Sequence, residues 1–287
     1  MSSAPGVGRA FSLPRKKSWT RRTTERCRVS GGQVSEMTAR GKRSFPEPRL
    51  LPPDPVPSGR EVIERVTTLT GEWQLQRAGS HFEIICNGVF LMASYNQPSD
   101  RALAALALRR VIGEGLRVLV GGLGIGYTAQ AALEDSRVGR LEVVEIEPVV
   151  VVWHRAHFAG LCSRPLEDPR TRLIVSDVCD VPLPPQSYDA ILLDTDNGPD
   201  WLIRQANTRL YGQQGLMGFL AALRPGGVLA YWSAGPAPRL AKTLASVGAS
   251  VDAVEVEDQI GPDRRGTAWL YLATKATAHR SPAPGAE

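Results

Sequence analysis

Acidic side chains follow apolar runs at several places in this chain. Glu145 lies near the end of one such run, Asp177 ends another, and Asp194 ends a third, with Asp196 two residues later. Each acid alone could simply cap a turn. Together they are harder to explain in that way, because clustered carboxylates repel one another unless a cation joins them. The pattern therefore predicts a site that binds a cationic group or removes a proton from an amine.

A glycine-rich run precedes these acids. Gly122, Gly124 and Gly126 follow an apolar segment and open a predicted helix. Glycines there allow a tight turn and the close approach of a ligand to the backbone, although such turns also serve strand-to-helix packing. Glu145 follows at the distance typical of an acid that accepts hydrogen bonds from ribose hydroxyls. The combination predicts a nucleoside-containing cofactor, and the absence of a following GK[ST] argues against a nucleoside triphosphate.

Strand-length apolar runs alternate with helical segments after Gly115, which positions these residues on a doubly wound α/β domain. Such runs indicate a mostly parallel sheet that is covered on both faces, and the last two strands are close enough to pair antiparallel. The predicted strands are 116–122, 141–147, 171–177, 188–194, 226–232, 250–256 and 267–273, and the predicted helices are 126–135, 148–159, 213–223 and 238–247.

A small antiparallel β unit is predicted before this domain. Residues 72–77 alternate in polarity, and Asn87-Gly88 between two apolar runs is a strong hairpin signal. Ser99-Asp100 is a suitable cap pair for the helix that follows. We therefore predict a β-hairpin unit over 58–97 and a Rossmann-like nucleoside-binding catalytic domain over 98–274.

The positive charge of the chain is concentrated at its start. The 287 residues carry a formal net charge of +5, but residues 1–60 contain 13 Lys and Arg against 4 acids, and the remainder is mildly acidic. Residues 1–57 lack apolar periodicity and are predicted to form a disordered, basic, Pro-rich tail, and residues 275–287 a second disordered tail. A transit peptide, a nucleic-acid-binding arm and translation from Met37 remain alternatives for the first tail.

Cysteine spacing and hydropathy restrict the environment. The four cysteines lie far apart without a CxxC pair, which argues against a disulfide-stapled secreted fold. No apolar run approaches the roughly 18 residues of a membrane-spanning helix. Arg21-Arg22 precedes a polar segment, which excludes a twin-arginine export signal. We expect a cytoplasmic protein without a membrane contact, and nucleic-acid binding only through the tail.

The chemistry-bearing motifs resemble one family. The chain is similar to the polyamine aminopropyltransferases, or spermidine synthases, over about residues 80–274, and the resemblance implies the class I methyltransferase fold. The similar segments are Gly122–Gly126, the VEIE run that contains Glu145, Asp168-Pro169-Arg170 before Asp177, Tyr188–Asp194 with Asp196, and LRPGG at 223–227.

This resemblance implies a role for each residue. Glu145 would hold the ribose hydroxyls of decarboxylated S-adenosylmethionine, and Asp177 with Val178 would bind its adenine. Asp194 would orient and deprotonate the attacking amine, with Asp196 as a helper. The reaction would move the aminopropyl group to a small cationic amine and release methylthioadenosine without a metal. A homodimer is also implied.

The sequence departs from the family pattern at three places. The aspartate of the family's GGGDG motif, which meets the donor's ammonium group, is replaced here by Gly124. The D-x-x-D-P motif is shortened at Asp194-Thr195-Asp196, and Tyr95 and Gln97 are the nearest replacements for the family's upstream Tyr and Gln. An S-adenosylmethionine-dependent methyltransferase is therefore an alternative, because an acid at position 124 would repel that donor's carboxylate. A non-catalytic nucleoside-binding protein is a second alternative.

Overall fold

Two β-sheets form the framework of residues 59–277, which are the part of the chain that the computed structural model describes. The first predicted tail, residues 1–57, lies outside these described residues, as does the second predicted tail, 275–287, from residue 278 onward. Lys275 is not part of a tail, because the last strand includes it. Within the described range, none of the helices combines the length and apolar character needed to cross a membrane.

The first sheet is a four-stranded antiparallel meander. Its strands follow chain order, β1 Arg60–Thr68, β2 Gly71–Ala78, β3 His81–Cys86 and β4 Val89–Ala93. The predicted Asn87-Gly88 turn joins β3 to β4, and both residues have positive φ, 51° and 75°. A two-residue hairpin turn of this type requires that conformation. The predicted hairpin is thus part of a larger sheet than the sequence indicated.

The second sheet has seven strands in the order β10-β11-β9-β8-β5-β6-β7. Strands β5 to β9 of this sheet are parallel to one another, and β11 pairs antiparallel with both β9 and β10. This arrangement confirms the predicted Rossmann-like fold. The strands are β5 Leu116–Gly121, β6 Val138–Glu145, β7 Thr171–Val175, β8 Tyr188–Leu193, β9 Leu223–Ser233, β10 Ala249–Gly261 and β11 Arg264–Lys275.

Helices cover both faces of this sheet. Val118 and Val120 of β5 pack with the helices on one face, α1 and α2, whereas Leu119 packs with α5 and α6 on the other. This alternation explains why β5 is apolar apart from Arg117, since both of its faces are buried along most of its length. The helices are α1 Gln97–Leu108, α2 Tyr127–Glu134, α3 Pro148–Trp153, α4 Thr208–Tyr211, α5 Gln213–Ala222 and α6 Pro238–Ser246.

Helix α1 begins earlier than its sequence predicts. The helix starts at Gln97 with Asn96 as its N-cap, so the expected cap pair lies inside the first turn. Ser99 and Asp100 are both buried there. The Ser99 backbone N–H donates to Oδ1 of Asp258 over 3.3 Å. A tertiary contact with β10, which local sequence does not reveal, therefore accounts for the polar pair at this position.

Candidate active site

A cavity of about 340 Å³ opens at the carboxyl ends of β5, β6 and β8. The N-terminal sheet closes one side of it with Trp73, Ile84 and Met92. The structure brings most of the predicted site residues together around this cavity, and Gly126 is the one that it does not place among the lining residues. Those that line it are Gly122, Gly124, Glu145, Asp177, Val178, Asp194 and Asp196.

Glu145 is held in a fixed position at the end of β6. Its Oε2 accepts a hydrogen bond from the Leu123 N–H and its Oε1 accepts one from the Glu147 N–H, both over 2.8 Å. Burial raises the pKa of the Glu145 carboxyl, and these backbone hydrogen bonds oppose that effect. A carboxylate has about four acceptor positions. Lone pairs therefore remain on Glu145 for the hydroxyl groups of a sugar.

Gly122 and Gly126 are required for packing. Gly122 has φ +91°, and a Cβ atom there would lie 2.0 Å from the carbonyl oxygen of Asp194. At Gly126, a Cβ atom would lie 2.7 Å from Cε1 of His154 and 3.0 Å from Sγ of Cys162. Gly122 thus allows the ends of β5 and β8 to meet beneath the cavity. Gly126 instead allows α2 to pack against the segment after α3.

Gly124 lies directly beneath a methionine of the other sheet. A Cβ atom at this position would be 2.3 Å from Sδ and 2.7 Å from Cε of Met92. The thioether of β4 therefore occupies the space into which a side chain at position 124 would extend. At the point where the similar family has a carboxylate, this cavity has an uncharged, polarizable surface.

Asp177 and Val178 form the wall beyond β7. Oδ1 of Asp177 accepts from the Cys179 N–H over 2.9 Å, and Oδ2 accepts from Nη2 of Arg209 over 2.8 Å. Val178 is buried. An adenine amino group that binds to Asp177 would share its carboxylate with Arg209, whose other amino group pairs with Asp180.

Asp194 belongs to a group of three carboxyl groups. Oδ2 of Asp194 accepts a hydrogen bond from the Thr128 hydroxyl over 2.7 Å. Burial, together with the nearby charge of Asp258, raises the pKa of Asp194 to about 6. Burial and the charges of Asp194 and Asp258 raise the pKa of Asp100 well above its usual range. We call Asp100, Asp194 and Asp258 the acidic trio, and all three line the cavity.

The acidic trio has no cationic partner within residues 59–277. Its members form no ion pair with any described Lys, Arg or His. Asp100 and Asp258 are each 4% exposed. Mutual repulsion in a poorly solvated place is unfavourable without a compensating positive charge. A cation bound between these carboxyl groups would relieve that repulsion.

Sequence reasoning missed two of these three acids. Asp100 belongs to the cap pair that the sequence predicts for α1, and Asp258 is one of three acids in a short stretch of the chain, with Glu255 and Glu257. Glu255 and Glu257 are on exposed or partly exposed parts of β10, whereas Asp258 faces the cavity. No local pattern distinguishes Asp258, because its position depends on how the β10–β11 hairpin packs against α1.

Asp196 has a different environment from Asp194. Its Oδ1 accepts from the backbone N–H groups of Asn197 and Ile203 over 2.9 and 2.7 Å, and its Oδ2 accepts from Nδ2 of Asn207 over 2.7 Å. These bonds hold the loop between β8 and α4. The structure thus places Asp196 at the cavity, but its carboxylate is used largely within that loop.

Tyr95 and Gln97, the nearest replacements for the family's upstream Tyr and Gln, do not line the cavity. The Tyr95 hydroxyl donates to Glu83 in the N-terminal sheet over 3.2 Å. Neither Tyr95 nor Gln97 is among the lining residues, whereas Asn96 between them is. Nδ2 of Asn96 donates to the Gln259 carbonyl over 2.6 Å. Asn96 therefore links the start of α1 to the end of β10 beside the acidic trio.

The fold and the cavity define a class I methyltransferase fold with an appended antiparallel sheet. Within that class, the chain has the fold of the spermidine synthases. A spermidine synthase in complex with the transition state analogue AdoDATO aligns with a TM-score of 0.65 and 16% identity, over 75% of this chain and 74% of that chain. The spermidine synthase from Thermotoga maritima aligns with a TM-score of 0.63 and 16% identity, over 75% and 73%.

Sequence comparison gives relatives of a second kind. Putrescine N-methyltransferase 2 of Nicotiana tabacum is 32% identical over 117 residues, which are 39% of this chain and 31% of that protein. Putrescine N-methyltransferase 2 of Nicotiana attenuata shows the same identity over 39% of this chain and 29% of its own length. The chain thus matches about a third of the length of these curated relatives. No family model matches the chain.

Proposed function

We propose that the protein is a transferase that moves a carbon group from the sulfonium of an S-adenosylmethionine-type donor to an amine. The observation that carries this proposal is the acidic trio, of which Asp100 and Asp258 are buried and Asp194 is partly buried, and which lines the cavity without an ion-pair partner among the described residues. An ammonium group supplies the missing charge. The likeness to spermidine synthases and putrescine N-methyltransferases supports both the donor type and the amine.

The donor would lie across the carboxyl ends of β5 and β6. Glu145 would accept the ribose hydroxyls, because its carboxylate is fixed by two backbone bonds and keeps free lone pairs. Val178 and Asp177 would contact the adenine. The turn at Gly122 leaves room for the backbone to approach the donor, next to Asp194. This arrangement brings the sulfonium close to the carboxylate that acts on the amine.

Asp194 is proposed to take the proton of the acceptor. An ammonium group must lose a proton before its nitrogen can attack, and a carboxylate with a pKa of about 6 is a stronger base than an ordinary aspartate. The nitrogen lone pair then forms the new N–C bond. The S–C bond breaks and its electron pair goes to sulfur, which leaves as a neutral thioether. Alignment of the two reactants supplies the rest of the rate enhancement.

Two donors fit this scheme. Decarboxylated S-adenosylmethionine would give aminopropyl transfer with methylthioadenosine as the product, which the spermidine-synthase fold supports. S-adenosylmethionine would give methyl transfer with S-adenosylhomocysteine as the product. The second donor is favoured by Met92 above Gly124, since no acid there opposes a donor carboxylate. A nucleoside-binding protein without turnover would need only the donor half of the cavity.

The proposal also includes a cellular location and an oligomeric state. A cytoplasmic location is supported by the described cysteines, Cys86, Cys162 and Cys179, which are all free thiols. A homodimer is supported by the resemblance to spermidine synthases. Light scattering coupled to size-exclusion chromatography would measure the mass in solution directly, and a monomer at all concentrations would refute the dimer.

The deciding experiment measures the nucleoside product. The full chain is incubated with either donor and a panel of diamines and polyamines, and the products are identified by mass spectrometry. Methylthioadenosine would establish aminopropyl transfer, and S-adenosylhomocysteine would establish methyl transfer. Asp194→Asn should abolish either product, while Asp263→Asn in the exposed β10–β11 turn serves as the matched control. Full turnover by Asp194→Asn would remove the assigned base.

A further inference from the structure

Arg204 is a cavity residue that the proposed mechanism does not use. It lies in the loop between β8 and α4, is partly buried, and lines the cavity. Its guanidinium forms no hydrogen bond or ion pair with any residue in the range 59–277. A guanidinium carries five N–H donors and keeps its charge at all physiological pH values. An arginine that faces a cavity with all of these donors free can bind an anion there.

The neighbouring acids leave this charge available. The carboxylate of Asp196 feels the positive charge of Arg204, but it already accepts three hydrogen bonds from its own loop. Burial and the charge of Glu147 raise the pKa of the Cys86 thiol to about 11, and the positive charge of Arg204 opposes this rise. Ile203, the residue before Arg204, packs in the same apolar cluster as Trp73 and Ile84, so this part of the loop lies against the N-terminal sheet.

The cavity therefore has two ends of opposite charge. The acidic trio comes from α1, β10 and the end of β8, whereas Arg204 belongs to the loop beside the N-terminal sheet, where Trp73 and Ile84 line the cavity. Met92 covers Gly124 on the same side and supplies no charge. An ammonium group suits the first end. The second end suits a negatively charged group, since a guanidinium pairs with a carboxylate through two parallel hydrogen bonds.

We propose that Arg204 binds the carboxylate on the amino-acid tail of the donor, and thereby selects S-adenosylmethionine over its decarboxylated form. This inference rests on the proposed function, because it assumes that the donor lies in this cavity. It makes Arg204 a specificity-determining residue. Both positions then favour S-adenosylmethionine. Gly124 lacks the acid that would hold the ammonium tail of the decarboxylated donor, and Arg204 supplies a cation for the carboxylate of the other donor.

The test compares ligands that share a nucleoside and differ in the tail. Calorimetric titration of the full chain would measure the affinity for methylthioadenosine, S-adenosylmethionine and decarboxylated S-adenosylmethionine. The wild type should prefer the carboxylated donor by at least about tenfold, the scale of a charge-assisted hydrogen bond. Arg204→Gln should remove that preference and leave methylthioadenosine binding unchanged. Arg204→Lys should retain part of it, and Arg239→Gln on exposed α6 should retain all of it.

The outcomes separate the two proposals. If methylthioadenosine fails to bind the wild type, the proposed function is wrong and this inference fails with it. If the nucleoside binds but the wild type does not prefer the carboxylated donor, or Arg204→Gln keeps the preference, only the role of Arg204 is refuted. If Arg204 had only a structural role, its replacement would weaken the binding of all three ligands together. Loss of methylthioadenosine binding in Arg204→Gln would therefore also count against the proposed contact with the carboxylate.

Discussion

Replacement of Asp194 by asparagine should stabilise the ligand-free protein while it abolishes turnover. The carboxylate is an unfavourable charge in the free fold, because burial and Asp258 raise its pKa to about 6 from an ordinary 3.8. The folded protein therefore binds more protons than the unfolded chain between these two values. Stability that is present below about pH 4 is lost as the pH rises through about 6.

The size of this effect follows from the pKa. A pKa of about 6 against 3.8 corresponds to at most about 3 kcal/mol at neutral pH, at about 1.4 kcal/mol for each pH unit. Water in the open cavity reduces this figure. Asparagine also weakens the hydrogen bond from Thr128, at a cost of about 1 kcal/mol. The net gain at pH 7.5 should be about 1–2 kcal/mol, or about 2–4 °C in Tm for each kcal/mol.

Urea unfolding of the wild type and Asp194→Asn at pH 7.5 and pH 4 would measure this difference. The variant should be the more stable protein at pH 7.5, and its advantage should disappear at pH 4, where the wild-type carboxyl is protonated. Asp263→Asn, on an exposed turn, is the control and should leave the pH dependence unchanged. Equal loss of stability in Asp194→Asn at both pH values would show that the trio is not electrostatically strained.

Three other predictions concern the acceptor, the pH profile and the turn beneath the cavity. Asp258→Asn should raise the KM for the amine about tenfold in steady-state assays and leave the KM for the donor unchanged, and an equal change in both would contradict the trio as the amine site. For the wild type, kcat/KM should rise with pH through an apparent pKa near 6, because Asp194 must be ionised to accept a proton, and Asp263→Asn should keep this profile. Gly122→Ala should lower the free energy of unfolding by at least about 2 kcal/mol, because the methyl group would overlap the Asp194 carbonyl and strain a positive φ. Gly218→Ala, in open space on α5, should instead be neutral or stabilise by about 0.5–1 kcal/mol, so similar behaviour of the two variants in chemical unfolding would argue against that contact.

The parallel strands and the acids at their ends were predictable from the sequence for a physical reason. A strand buried on both faces is largely apolar. Strands β5 and β8 are apolar except for Arg117 and Asp189 near their starts, so the glycine or acid at the far end marks where each stops. Asp194 was identified in this way. Strand β10 gave a weaker signal, because exposed residues alternate with partly buried ones along much of it. The strand spans Ala249–Gly261 and is longer than the predicted 250–256.

The features that sequence did not reveal are contacts between distant elements. Asp100 approaches Asp194 because α1 packs against α2 and β8, and Asp258 reaches them because β10 packs against α1. The thioether of Met92 meets Gly124 only because β4 lies against the glycine turn. Neither relation is recorded in the spacing of residues along the chain. The charge and shape of the substrate site depend on these contacts more than on the strand ends that could be read locally.

The close approach of Gly122 to Asp194 has a mechanical consequence. The Asp194 N–H donates to the Gly121 carbonyl over 2.8 Å, so the turn proposed to lie under the donor and the residue proposed as the base are joined by a backbone hydrogen bond. A shift of either strand would move both groups together. The distance between the proposed donor position and the proposed base is therefore fixed by the sheet. A change in substrate preference would therefore have to come from the other walls of the cavity. These walls are β4, the end of β10 and the loop that bears Arg204.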